Sequence, residues 1–169
     1  MSITLHQASI PFLIRGLQTL STLLDKAEQH TDEHKLEADA LINARLFEDM
    51  YPLSAQIQRA SDTAKATASR LSGLAAPNFP DDESNFDELQ ARINKTIVFL
   101  ESIPADAIDG QEERAVTMKL RGEERSMTAQ HYLTTFGLPN FFFHLTTAYG
   151  ILRHKGVKLG KMDFLALAL

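Results

Sequence analysis

The sequence predicts an all-α fold, a four-helix bundle with a small β-hairpin inserted before the last long helix. Three observations carry this. Apolar residues recur at steps of three and four along most of the 169 residues, the spacing of a single buried helix face. Between Val116 and Leu133 the step falls to two on both sides of a charged loop containing a glycine. The helical period then returns in an aromatic-rich segment that stops at Gly156.

The elements follow in order. Leu5, Ala8, Phe12, Leu13, Gly16, Leu17, Leu20, Leu24 and Ala27 form the first apolar stripe. Thr4 and Gln7 have capping-box spacing, and Pro11 should kink this helix or delay its proper start. The polar stretch from Glu28 to Glu37 reads as a turn or connection, and Ala38 to Phe47 as a short helical segment. Pro52 suits the first turn of the second long helix, whose buried face is Leu53, Ile57, Ala60, Ala64, Ala68 and Leu71 and whose C′ residue is Gly73. Ala76 to Asp82, with two prolines, is a loop. A third helix starts near Asp82 or Ser84, runs through Phe86, Leu89, Ile93, Ile97 and Leu100, and stops before Pro104.

Val116, Met118 and Leu120 then alternate with polar neighbours, as do Met127, Ala129, His131 and Leu133, around the loop Arg121 to Arg125. The last long helix begins at Thr135 or Pro139 and runs to Lys155. No repeat, low-complexity tract or linker interrupts the chain, so residues 1–169 are read as one bundle domain.

Composition narrows the function. Hydrophobic residues at 44% and charged residues at 23% are ordinary globular values. The absence of cysteine removes disulfides, thiolate catalysis and cysteine-ligated metals. A net charge of −5 speaks against a nucleic-acid binder, although Arg153 to Lys161 is locally basic. The N-terminal segment has no basic leader, and the closing run Leu165 to Leu169 is too short to span a bilayer. A soluble cytoplasmic protein, with neither membrane nor nucleic acid as partner, is expected.

His144 is the leading site candidate. It shares a helix face with Phe141, Leu145, Ala148 and Ile151, so it points inward or toward a cleft. Such a histidine is either a hydrogen-bonded core residue or a ligand-binding or catalytic one, and both readings stay open. His154 lies roughly 15 Å further along the axis, too far to share one ion. His30 and His34 are spaced i,i+4, but within a very polar stretch. No glutamate is followed three residues later by a histidine, which excludes a di-iron bundle. Gln56, at the edge of the second helix's stripe, reads as a helix–helix hydrogen bond or as part of a polar pocket with His144 and Tyr149. Gln58 and Asp62 lie on the same helix, and Arg45 and Asp49 have the spacing of a local ion pair. Arg153, His154, Lys158 and Lys161 are candidates for an anion site, beside the simpler reading that cations complement a helix C-terminus. Nothing marks a nucleophile with its base.

Two stretches carry a family resemblance. One is Pro139-Asn140-Phe141-x-Phe143-His144-x-Thr146-Thr147-Ala148-Tyr149-x-Ile151-Leu152-Arg153-His154-x-Gly156-Val157-x-Leu159-Gly160-Lys161-x-Asp163-Phe164-Leu165. The other is Arg45-Leu46-x-x-Asp49-Met50-x-Pro52-Leu53 with Gln56-x-Gln58. Together they resemble an uncharacterised bacterial and fungal family known only as a domain of unknown function, grouped with the DinB/YfiT-like four-helix bundles. The resemblance implies a superfamily site of one histidine on the second helix and an HxxxH pair on the fourth, in which thiol-dependent transferases and isomerases hold a metal. His144 matches the first histidine of the pair. Ala148 stands at the second, and the second helix offers Gln56 or Gln58. No cofactor is therefore predicted; the alternative is a divalent zinc or nickel ion at His144.

The expectation is a DinB-like bundle lacking the superfamily's metal site. It would act as a small-molecule-binding or interaction protein and form a homodimer. The alternative is a metal-dependent or histidine-based transferase or hydrolase, with His144 and Tyr149 as catalytic candidates and Asp49, Gln56 and Gln58 lining the pocket.

Overall fold

The computed structural model describes residues 2–165. The closing apolar run lies outside the described residues from position 166 onward, as does Met1. Four long helices form the frame: α1 (Ile10–His34), α3 (Leu53–Ser72), α4 (Phe86–Glu101) and α6 (Leu138–His154). Each of α1 and α3 packs against both α4 and α6, so the apolar stripes meet in one core. Among the described residues no helix is long and apolar enough to cross a membrane.

At the N-terminus Thr4 and Gln7 exchange backbone-to-side-chain bonds of 3.2 and 3.1 Å, the reciprocal capping box. It caps a separate turn, and α1 begins only at Ile10, with Pro11 in its first turn where no partner is needed for the missing N–H. Phe12 leaves the expected stripe. It is 39% exposed and lies under the Arg15 guanidinium, because Leu13 one residue later takes the inward direction. The stretch after Ala27 is also not a connection. It stays helical to His34, since Ala27 and Thr31 keep one buried residue per turn and Gln29 bonds Glu33 across one turn.

The short α2 (Asp39–Ile42) is less than half the expected segment. Residues 43–52 are irregular, and the Arg45 guanidinium donates to the Met50 carbonyl, so the expected pair with Asp49 does not form. All six residues predicted for the α3 face are fully buried, and Gly73 ends the helix in the left-handed region. Helix α4 starts two residues after Ser84. Asn85 accepts the Glu88 N–H and the Glu88 carboxylate accepts the Ser84 N–H, at 2.9 and 2.6 Å.

After a 3₁₀ turn (Ala105–Ala107), strands β1 (Ala115–Leu120) and β2 (Glu123–Thr128) pair antiparallel from Ala115 opposite Thr128 to Leu120 opposite Glu123. The turn is only Arg121-Gly122, both at positive φ (52° and 85°), which matches the twist of a two-residue hairpin. The predicted second strand is therefore displaced. Ala129–Tyr132 is a helix, α5, capped by Thr128, and it passes through one wide π turn (Leu133–Gly137) into α6. The apparent alternation at Ala129, His131 and Leu133 misled because Ala129, Tyr132 and Leu133 form the buried face of a helical turn while His131 is exposed.

Helix α6 closes as predicted. Gly156 takes φ 90°, its N–H bonds the Arg153 carbonyl, and the Val157 N–H bonds that of Leu152, a Schellman motif with Val157 buried behind it. A last helix, α7 (Lys161–Leu165), is tied to α1 by the Lys26–Asp163 ion pair at 2.5 Å. The bond from Lys26, then that from the Gly160 N–H, holds the Asp163 carboxyl below its usual range.

Candidate functional site

The most constrained polar group between α3 and α6 is His144. Phe141, Leu145, Ala148 and Ile151 draw its side of α6 into the core, and His144 keeps only 8% of its surface exposed. Its Nδ1 lies 2.8 Å from Gln56 Oε1. Gln56 is itself 1% exposed, and its Nε2 donates to the Tyr51 carbonyl at 3.1 Å. A carbonyl only accepts, so the Gln56 amide is fixed with its nitrogen toward Tyr51 and its oxygen toward His144. His144 Nδ1 must then carry the proton, leaving a lone pair on Nε2. Among the described residues no protein group bonds that nitrogen.

Burial, and then the nearby positive charge of Arg59, push the His144 pKa below its ordinary 6.5. The imidazole is therefore neutral near pH 7. Arg59 pairs with Asp81 at 2.7 Å and Asp62 at 3.5 Å, and its guanidinium carbon is 5.9 Å from the centre of the Tyr51 ring. The Phe143 ring stands edge-on to His144 at 5.2 Å and is exposed, as is Tyr51. One turn toward the α6 N-terminus, Asn140 donates to Thr63 at 2.8 Å and fixes the two helices against each other. The result is a neutral, oriented acceptor beside the exposed Phe143 ring.

This arrangement makes stability depend on pH with a definite sign. A proton binds the unfolded histidine near 6.5 but the native one only at lower pH, so the unfolded chain binds more protons in that interval. Stability should fall as pH drops from about 7.5 to about 5.5. His144→Gln should flatten that part of the curve, read as urea midpoint against pH. An unchanged slope in the variant would contradict the native protonation state.

The other candidates are dispersed. Gln58 points away from His144 and donates to Glu83 at 2.9 Å. Tyr149 packs edge-on against Phe164 with ring centroids 5.7 Å apart. Asp49 is exposed on the irregular segment before α3. Of the basic group, Arg153 and His154 are exposed at the end of α6 and Lys161 at the start of α7. Lys158 alone of the four lines a shallow depression of 290 Å³, with Lys26, Gln29, His30 and Glu33. His30 and His34 stack at 4.2 Å on α1, and His34 Nδ1 is 2.9 Å from the His30 carbonyl.

A metal of the superfamily type does not fit these residues. Ala148 is buried and has no donor, and both amide atoms of Gln56 are engaged by Tyr51 and His144. Among the described residues no three His, Cys, Asp or Glu side chains stand together to hold an ion.

The strongest polar cluster has no counterpart in the sequence reading. Arg92 of α4, its side chain 1% exposed, bonds Asp62 of α3 at 2.8 Å, Asp81 at 3.0 Å and Glu83 at 2.9 Å, together with the Pro80 carbonyl at 2.8 Å. Burial works against this charge, but the Glu83 bond and the charges of Asp62, Glu83 and Asp81 outweigh it and raise the arginine pKa. Lys65, also buried, pairs with Asp62 at 3.1 Å and lies 3.9 Å from the centre of the Phe79 ring. The connection between α3 and α4 is thus clamped onto both helices. One signal was present: Arg92 falls three residues after Leu89 and four before Thr96, at a spacing otherwise occupied by buried residues.

Comparison with known proteins places the architecture. The family described as Domain of unknown function (DUF1993) matches residues 5–165. The crystal structure of a DinB family member protein from Shewanella denitrificans is similar over 98% of this chain and 94% of that one, with a TM-score of 0.89 and 34% sequence identity. No curated protein matches the chain.

Proposed function

Because the chain belongs to the family of domain of unknown function DUF1993 and has a DinB-like fold, we propose that it is a binding protein that works without the superfamily's metal. The Gln56–His144 hydrogen bond carries this reading. It occupies the histidine nitrogen facing α3 and engages Gln56, while Gln58, the other residue that helix offers in place of a lost ligand, is bonded to Glu83. Nε2 is left as a neutral acceptor beside the exposed Phe143 ring, suited to a small molecule that presents a hydrogen-bond donor on a flat apolar body. A homodimer and a cytoplasmic location belong to the same proposal. The exposed Phe47, Tyr51 and Phe143 offer apolar surface to a second copy.

The test is elemental analysis of untagged protein purified without chelators, beside His144→Ala. Neither sample should contain stoichiometric zinc or nickel. In a fragment screen followed by NMR, binders should shift the His144 ring resonances and lose affinity in the variant. Near-stoichiometric metal that disappears with His144 would overturn the reading.

A second reading, a histidine-based transferase or hydrolase, is favoured by one observation. An imidazole held by its Nδ1–H with Nε2 unpaired is the form in which a general base works. Turnover of p-nitrophenyl acetate that vanishes in His144→Gln and survives in Tyr149→Phe would support it.

A further inference from the structure

We propose that Asp81, on the connection between α3 and α4, is a positioning residue for His144 and acts through Arg59. This rests on His144 being the binding site and concerns what controls it. The path is continuous. Asp81 accepts from Arg59 at 2.7 Å, and the guanidinium so anchored lies against the Tyr51 ring at 5.9 Å. The Tyr51 carbonyl accepts the Gln56 amide at 3.1 Å, and Gln56 Oε1 meets His144 Nδ1 at 2.8 Å.

The Asp81–Arg59 bond is not needed to hold the connection in place. Arg92 already bonds Asp81, Glu83 and the Pro80 carbonyl, and Lys65 bonds the Pro77 carbonyl at 3.3 Å. The distinctive effect of that bond is where it leaves Arg59: Asp81 is the nearer of its two carboxylate partners, at 2.7 Å against 3.5 Å for Asp62 on its own helix, and draws the side chain toward the connection. There the guanidinium lies over the Tyr51 ring at the point where the irregular segment 43–52 enters α3, a contact that holds the Tyr51 carbonyl within reach of Gln56. Arg59 follows Gln56 by three residues on α3, which puts the two on neighbouring turns of one face, and the charge of Arg59 is felt at His144. Any partner that draws Asp81 away from Arg59 therefore loosens the orientation of His144, and a ligand that displaces Arg59 is communicated to the connection.

The experiment follows the His144 ring by long-range ¹H–¹⁵N NMR in wild type, Asp81→Asn and Arg59→Lys, with Asp106→Asn as an exposed control. Wild type and control should show a single Nδ1–H tautomer. Both test variants should lose it to a mixture, while their amide spectra remain those of the folded protein. Arg59→Lys keeps a cation near Asp81 but not the guanidinium over the Tyr51 ring, so its loss of the tautomer separates that contact from charge. A His144 that keeps one tautomer in Asp81→Asn overturns the inference, as does a change confined to Arg59→Lys. The readout needs no ligand: a fragment screen without binders would count against the proposed function and leave the relay intact.

Discussion

Arg92→Ala should lower stability by about 3–5 kcal/mol, the range for removing one partner from a buried charge network. For a chain of this size that is a fall in Tm of roughly 6–20 °C. Asp62 and Asp81 are partly exposed and retain Lys65 and Arg59, so they can be resolvated. Glu83 cannot. Its side chain is 9% exposed, and apart from Arg92 its bonding partner is the neutral Gln58. The cost should therefore concentrate on one stranded carboxylate and on the void left by the guanidinium. Arg92→Met fills part of the void but leaves the charge, whereas Arg92→Met with Glu83→Gln removes both faults and should recover much of the loss. Urea unfolding measures the energies, and amide exchange over residues 74–85 should show the connection opening in Arg92→Ala. A Tm within about 2 °C of wild type would mean that the network contributes little net stability.

Phe141→Ala should cost about 3–5 kcal/mol, as expected for emptying a fully buried aromatic site. The more discriminating substitution is on the facing helix. A methyl group on Gly16 would sit 2.3 Å from Phe141 Cε1 and 2.7 Å from Cζ, and the ring has no solvent to move into. Gly16→Ala gains about 1 kcal/mol of helix propensity. Against this stands an overpacking cost of about 1–3 kcal/mol. Crowding should win, because both the ring and the α1 backbone are held by the core. In Phe141→Leu the ring edge is gone and the same methyl group fills the space. The cycle Gly16→Ala with Phe141→Leu should thus be strongly non-additive, with the double variant more stable than the sum of its parts. Additive losses would show that α1 and α6 yield rather than the side chains.

These two sites differ in how visible they are in the sequence. The contact between Gly16 and Phe141 lies on stripes that periodicity located, since both residues fall on predicted buried faces. Arg92 lies at a core spacing but reads as an exposed charge, because its carboxylate partners come from positions 62, 81 and 83. The candidate site divides in the same way. Periodicity puts Gln56 at the edge of the α3 stripe and turns His144 inward or toward a cleft, and their meeting follows from α3 packing beside α6. Gln58 and Tyr149, close to them in sequence, were carried elsewhere by helix rotation: two residues along a helix is more than half a turn, and five overshoots a full turn by well over a right angle.

What the sequence determined by itself is the set of local and one-dimensional features. Helix faces, the Thr4–Gln7 cap, the stops at Gly73 and Gly156, and the existence of a hairpin all depend on residues within a few positions of one another. The tertiary structure alone decided which polar groups share a site: the His144 tautomer set by Gln56 and Tyr51, the placing of Arg59 over the Tyr51 ring, and the clamp around Arg92. It also decided the start of α5, where a run alternating by two was taken into a helical turn. The physical reason is common to all of these. Periodicity reports how much of a segment is buried, whereas hydrogen bonds and ion pairs depend on rotations and separations of whole helices, which are set only when the core is packed.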